Sequence, residues 1–294
     1  MNNPIIVLTG PTASGKSAIS LEVAQRFNCE IICADSMTVY RGMDVGTDKP
    51  TLTDMKGIPH HLLDIKNPDE EFNVSMFIEK VAKLVSEIQH RGNIPMLVGG
   101  SVLYIDAFVF NYKLPPIAPN KELREELEKL GAEELFEKLC KLDPDCEWTV
   151  DRHNRRRIIR ALEVWLATER PFSEQKSKTP LPENILYLAV DRDREKLYAG
   201  IDARVDIMFR TGFIEEVKRL KDKYDNNTAM QAAGYKQIGE FLDGKTTMED
   251  AATRTKQTHR NYAKRQLTWL RRNQDIQWIK DIPEAEKLIN QFLS

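Results

Sequence analysis

No run of apolar residues in the chain approaches the roughly 20 needed to cross a bilayer, so a membrane-spanning helix is not expected. The opening residues, Met1-Asn2-Asn3-Pro4, lack the basic start and small-residue cleavage site of a secretory signal, and a cytoplasmic protein is the expectation. Cysteine is scarce. Cys29, Cys33, Cys140 and Cys146 show neither the two-residue gap of a zinc knuckle nor that of a redox dithiol, and no His cluster completes a metal site, so four free thiols are expected. Charge of one sign is lacking too: 43 Lys+Arg against 45 Asp+Glu leave a formal net charge of −2. A polyanionic partner would therefore have to be met by local basic patches. No internal repeat is evident. With 294 residues and 41% hydrophobic composition, what is present suffices for one large domain, or a core with a smaller insert.

The first 110 residues alternate strand and helix signals. Residues 4–9 (PIIVLT) form a continuous apolar run, as expected of a strand buried on both faces. A helix pattern follows, and residues 30–34 make a second apolar run that ends at Asp35-Ser36. Residues 75–90 read as an amphipathic helix, and 94–98 (IPMLV) as a third strand running into Gly99-Gly100-Ser101. That alternation implies a parallel sheet with helices on both faces, an α/β fold like that of P-loop NTPases. Three prolines within residues 115–119 break the pattern. Residues 120–170 read as helical and a Pro-, Ser- and Lys-rich loop spans 171–183. A strand returns at 185–190, followed by helices to the end. The expected organisation is a core of 1–115 and 183–294, interrupted by a helical insertion domain at 116–182.

The strongest local signal is Gly10-Pro11-Thr12-Ala13-Ser14-Gly15-Lys16-Ser17, which fits G-x-x-x-x-G-K-[ST] between a strand and a helix. Glycines let the backbone curl so that its N–H groups face a phosphate, the helix N-terminus and Lys16 add positive charge, and the Ser17 hydroxyl can ligate Mg2+. The loop predicts diphosphate or triphosphate binding without saying what carries it. Ligands of an open parallel sheet sit beyond the carboxyl ends of its strands, where Asp35, Ser36 and Ser101 are expected. Asp35 there has two chemical uses, holding magnesium through water or accepting a proton, besides the plainer one of capping a turn. Ser101 either caps the next helix or donates to the ligand. Arg204, between Asp202 and Asp206, serves either an internal salt-bridge helix or the far side of a diphosphate.

Two patches suit a polyanion. Residues 151–160 contain Arg152, Arg155, Arg156, Arg157 and Arg160, and residues 252–274 carry seven Lys+Arg with no Asp or Glu. At 100° per residue Lys256, Arg260, Lys264 and Arg271 form one strip and Arg254, Arg265 and Arg272 the next, with Tyr262, Leu267, Trp269 and Leu270 on the other side. Two basic regions, one on each domain, predict an RNA clamp. His60-His61 has no partners at metal spacing and reads as a packing or turn feature.

Taken in order, GPTASGKS at 10–17, ADSMTVYRGMDVGTDKP at 34–50, PHHLLDI at 59–65, VGGSVLY at 98–104, RRRIIRALEV at 155–164, IDARVDIMFRTGFIEEV at 201–217, QAAGYKQ at 231–237 and KRQLTWLRR at 264–272 closely resemble the bacterial tRNA dimethylallyltransferase (tRNA isopentenyltransferase) family over essentially the whole chain. The resemblance implies transfer of a dimethylallyl group from dimethylallyl diphosphate to the exocyclic amine of the adenine just 3′ of the anticodon. It implies Asp35 as the proton acceptor, Ser101 at a substrate-contacting position, and Lys16, Ser17, Arg204 and the loop amides around the diphosphate. It implies tRNA contacts, to the anticodon stem-loop, from Asp35, Ser36, Met37 and Thr38, from Ser101 and Arg124, and from Arg156, Arg157, Ile158, Ile159 and Arg160. Further contacts are implied at Gln231, Ala232, Ala233, Gly234, Tyr235 and Lys236, and at Lys264, Arg265, Gln266, Leu267, Thr268, Trp269, Leu270 and Arg271. A monomer is expected. The chain departs from the family at Thr38, where Gln is usual and helps to read the adenine, at Arg156 for Gln, at Asn154 for Asp and at Ser101-Val102 for Thr-Gly. The competing readings are a P-loop phosphotransferase or NTPase, a prenyltransferase acting on free adenine nucleotides, and an RNA-binding protein with a vestigial phosphate loop.

Overall fold

The computed structural model describes all residues except 1–2, 113–114, 116, 118–119, 173–178 and 226. In chain order the first elements are β1 (Ile5–Thr9), α1 (Lys16–Phe27), β2 (Cys29–Cys33), β3 (His60–His61), α2 (Val74–His90), β4 (Ile94–Gly99) and α3 (Val102–Val109). Four helices follow, α4 (Lys121–Leu127), α5 (Ala132–Leu142), α6 (Cys146–Thr149) and α7 (Arg155–Thr168). The remainder is β5 (Ile185–Val190), α8 (Arg194–Arg210), α9 (Phe213–Tyr224), α10 (Tyr235–Leu242), α11 (Met248–Leu270), β6 (Gln277–Ile279) and α12 (Ile282–Leu293). The chain divides into two compact units, one of Met1–Val109 with Leu181–Ser294 and one of Phe110–Pro180.

In the first unit six strands form a parallel sheet in the order β3-β2-β4-β1-β5-β6. Every residue of β1 and β5 is buried, as apolar runs covered on both faces must be. Ile6, Leu8, Leu186 and Leu188 point to one face, where they pack with Ile19 and Val23 of α1 and Ala285 and Ile289 of α12. Tyr187 points to the other face and donates its hydroxyl hydrogen to Asp106 of α3 at 2.8 Å. The sheet is thus a sandwich filling between two helical layers.

Two strands escaped the sequence reading. Residues after 190 were expected to be helical throughout, but β6 adds to the sheet edge, with Val190 opposite Ile279. His60-His61, read as packing or a turn, is the edge strand β3, and His61 Nε2 lies 2.7 Å from Glu30 on β2. Strands of two or three residues carry too little alternation to be recognised from sequence.

The second unit has its own core, built from Leu127 of α4, Leu135 and Leu139 of α5, Cys146 of α6 and Ile158, Ile159 and Leu162 of α7. Within it Glu163, 1% exposed at its side chain, receives a two-pronged hydrogen bond from Arg124 (3.0 and 2.8 Å), one from Arg160 (2.7 Å) and the Asn120 amide (2.6 Å). Asn154 caps α7 by accepting from the Arg157 amide, so the exchange of Asp for Asn keeps the cap. The expectation of four free thiols holds for Cys29 and Cys33 only. Cys140 and Cys146 are joined as a disulfide, because the end of α5 and the start of α6 bring their Cα atoms to 5.6 Å.

Candidate active site

The phosphate loop leaves β1 at Gly10 (φ +147°) and enters α1 at Gly15 (φ +93°), backbone angles that a side chain would strain. Lys16 opens the helix and its Nζ donates to the Pro11 carbonyl at 2.9 Å, across the mouth of the loop. Burial, reinforced by the Arg204 charge and only partly offset by Asp35 and Asp48, lowers the Lys16 ammonium to a pKa of about 8. Ser17 stands exposed in the first turn of α1. Ser14, buried at 1% exposure, has a hydroxyl with no partner among the described residues.

Three other strand ends and helices meet the loop. Asp35 follows β2, and its Oδ1 accepts the amides of Met37 (2.7 Å) and Thr38 (3.3 Å), so it does cap a turn. It also lies near enough to Lys16 for each charge to act on the other. Both amides bond the same carboxylate oxygen, Oδ1. Ser101 follows β4, and its Oγ accepts from the Ser36 amide at 3.0 Å instead of capping α3, tying the two strand ends together. Thr38 is buried, and its hydroxyl has no partner among the described residues. From α8, Arg204 donates to Thr12 Oγ1 (2.6 Å) and to the Thr47 carbonyl (3.3 Å), with Nε 3.3 Å from Asp48. The internal salt-bridge helix is therefore not what this arginine serves.

Sequence reasoning gave Gln266 only an RNA-facing part. In the structure it is 4% exposed and clamps two loops, with Oε1 accepting the Thr12 amide (3.0 Å) and Nε2 donating to the Gly100 carbonyl (2.7 Å). Tyr262, one turn earlier on α11, also donates to Gly100 at 3.3 Å. His259, a further turn back, was missed altogether. Its Nε2 is buried without a partner, and burial together with the Arg204 charge lowers its pKa to about 4, so the imidazole is neutral. A stripe at 259, 262 and 266, spaced by three and four residues, was the signal available.

The basic surface is narrower than the sequence suggests. Arg260 and Lys256 pair with Asp202 (2.8 Å) and Asp206 (2.6 Å) of α8, and Arg254 with Glu240 (2.7 Å), so half of the α11 strip holds helices together. Lys264, Arg265 and Arg271 remain exposed, with no acidic partner among the described residues. Leu270 is fully buried, Leu267 packs against α8, and Trp269 donates to Asp106 at 2.6 Å. Thr268 is exposed. On α10, Lys236 is exposed, whereas Tyr235 is buried and donates to Glu216. Before that helix Gln231 is exposed, Ala232 and Ala233 are half-buried and Gly234 is buried. In the second unit Arg156 and Arg157 are exposed, Arg124 and Arg160 are engaged by Glu163, and Ile158 and Ile159 lie in the core. Side chains of Ile158, Ile159, Tyr235 and Leu270 therefore face inward, and only their backbone can meet a partner.

A buried first strand, a glycine-bent loop and a lysine opening the next helix define an α/β protein of the P-loop class. Residues 38–273 match the IPP transferase family, and the chain belongs to it. A curated relative from Pelotomaculum thermopropionicum, called tRNA dimethylallyltransferase, is 42% identical over 284 residues, covering 94% of this chain and 90% of its own. One of the same name from Anoxybacillus flavithermus is 41% identical over 100% of this chain and 96% of its own. Among solved structures, the tRNA isopentenylpyrophosphate transferase of Bacillus halodurans superposes with a TM-score of 0.74 at 39% identity, covering 99% of this chain and 95% of that one. A eukaryotic dimethylallyltransferase acting on tRNA gives 0.83 at 30% identity, covering 98% and 79%.

Proposed function

We propose that this transferase moves a dimethylallyl group from dimethylallyl diphosphate to the N6 amine of the adenine 3′-adjacent to the anticodon of tRNA. One observation carries the reading: the turn that holds Asp35 is tied through the Ser36 amide to Ser101, and Gln266 ties the neighbouring Gly100 carbonyl to Thr12 of the phosphate loop, which Arg204 also grips. An acid facing a phosphate cradle suits a reaction in which an amine loses a proton while a diphosphate departs.

In that reaction the allylic carbon–oxygen bond breaks, a carbon–nitrogen bond forms at N6, and the N6 proton passes to Asp35. Lys16, Arg204 and the loop amides take up the charge that gathers on the diphosphate. Adenine N6 is a weak nucleophile because its lone pair is delocalised into the ring, so a positioned base helps. A loop base costs little to unstack, which favours a single-stranded target. The Ser17 hydroxyl is the protein group that would hold a magnesium ion at the loop. Ser17 is exposed for that role, and among the described residues no group of three His, Cys, Asp or Glu would enclose an ion unaided. When bound, magnesium would neutralise charge on the leaving group. Among the basic residues left exposed, Arg156 and Arg157 on one unit and Lys236, Lys264, Arg265, Arg271 and Arg272 on the other supply what a phosphate backbone needs.

Incubation with labelled dimethylallyl diphosphate, magnesium and bulk tRNA, followed by mapping of the labelled base, tests the proposal. Label on the adenine beside the anticodon is expected. Label on free adenine nucleotides only, or no transfer with steady ATP or GTP turnover, would overturn it.

A further inference from the structure

Arg204 is held by a loop that is itself held from elsewhere. Residues 44–48 bring the Thr47 carbonyl and the Asp48 carboxylate to the guanidinium, each at 3.3 Å, while Nη1 reaches Thr12 of the phosphate loop. Asp48 sits in the left-handed region at φ +55°, a conformation that its surroundings must impose. The turn that carries it is closed by the Asp48 amide donating to the Val45 carbonyl (3.2 Å) and the Lys49 amide to the Asp44 carbonyl (3.0 Å), and the start of that turn is gripped by Glu216 of α9, which is 5% exposed. Its Oε2 accepts the amides of Asp44 (2.9 Å) and Val45 (2.8 Å), and its Oε1 accepts the amide of Gly46 (3.1 Å) and the hydroxyl of Tyr235 (2.6 Å). Three consecutive N–H groups turned onto one carboxylate fix the backbone of those residues. A Cβ on Gly46 would overlap the rings of Phe213 and Tyr235, so this loop can lie only where a glycine allows it. Lys49 pins the outer side separately, through the Tyr40 carbonyl (2.7 Å), Asp44 (2.7 Å) and Asp64 (2.6 Å).

We propose that Glu216 is a positioning residue for Arg204: its carboxylate folds residues 44–48 into the shape that holds the guanidinium against Thr12, ready for the departing diphosphate. This deepens the proposed reaction and rests on it. Glu216 lies in the stretch at 201–217, which the sequence singles out while giving a use only to Arg204. The arrangement spends a buried carboxylate on the backbone that carries Asp48, while Lys49 leaves the start of the loop anchored without it.

The test is a double-mutant cycle on inorganic diphosphate affinity, read by titration calorimetry in the wild type, Glu216→Gln, Arg204→Ala and the double variant. Glutamine keeps the shape but turns an N–H₂ towards amide donors. A tenfold or greater loss is expected for Glu216→Gln, with a raised KM for dimethylallyl diphosphate and unchanged tRNA affinity. In the Arg204→Ala background the same substitution should change affinity by less than twofold. Wild-type affinity in Glu216→Gln, or an equal loss in both backgrounds, would overturn the positioning role. Should Glu216→Gln fail to fold, Tyr235→Phe removes one of the four donors, and about a threefold loss that vanishes with Arg204→Ala is expected. If wild type and Arg204→Ala bind diphosphate equally, the reading of the site fails instead, an outcome distinct from wild-type binding in Glu216→Gln alone.

Discussion

At the scale of single residues the proposed proton acceptor, Asp35, and the proposed diphosphate ligand, Lys16, each have their own test. Asp35→Ala should abolish prenyl transfer while anticodon stem-loop affinity stays within about twofold, since backbone phosphate contacts, not one carboxylate, supply most of that binding. Transfer at wild-type rate would remove the proton-acceptor role. The Lys16 ammonium has been lowered to about 8 by burial and by Arg204. Above that pH the free protein loses the charge that a diphosphate restores, so affinity should fall about tenfold per pH unit as pH rises beyond 8. Below 8 no such dependence is expected, and Lys16→Met should bind weakly at all pH values without that slope. A diphosphate titration at pH 7, 8 and 9 in both proteins decides it. The identities of these groups were legible from the sequence, because the phosphate-loop motif demands lysine at that place. Gln266 and His259 were not given their places. A glutamine that bridges two loops leaves the same trace in a sequence as one facing solvent.

Helix by helix, the charges mostly hold the protein together. Sequence periodicity groups Lys256, Arg260, Lys264 and Arg271 into one strip but could not say that α8 brings Asp206 and Asp202 against the first two. The same holds for Arg124 and Arg160, both drawn to Glu163. Removing that buried acid leaves the Asn120 amide and two partly exposed arginines without their acceptor, and Glu163→Ala should cost about 1–3 kcal/mol. Hydrogen exchange should show the loss confined to residues 110–180. Loss spread evenly over both units would count against the independent core described for that unit.

For the whole molecule the balance of charge hides a sorted surface. The formal net charge is −2, yet Lys264, Arg265 and Arg271 stand exposed on the unit that bears the phosphate loop. Replacing those three with Ala should weaken tRNA binding and flatten its dependence on salt by roughly one unit of slope per lost phosphate contact. Diphosphate affinity should not change. Filter binding across a range of salt measures both quantities against the wild type, and an unchanged slope would place the RNA elsewhere.

By itself the sequence determined the parallel sheet, the phosphate loop and the acid at the end of β2. Each is a local pattern: continuous apolar runs, a glycine spacing, and a residue directly after a strand. Tertiary structure alone decided which cations are spent on internal acids, which side chains of the basic segments turn inward, and how Glu216 reaches the loop that steadies Arg204. Those outcomes depend on partners up to 172 residues apart along the chain, and only packing brings such groups within hydrogen-bonding distance.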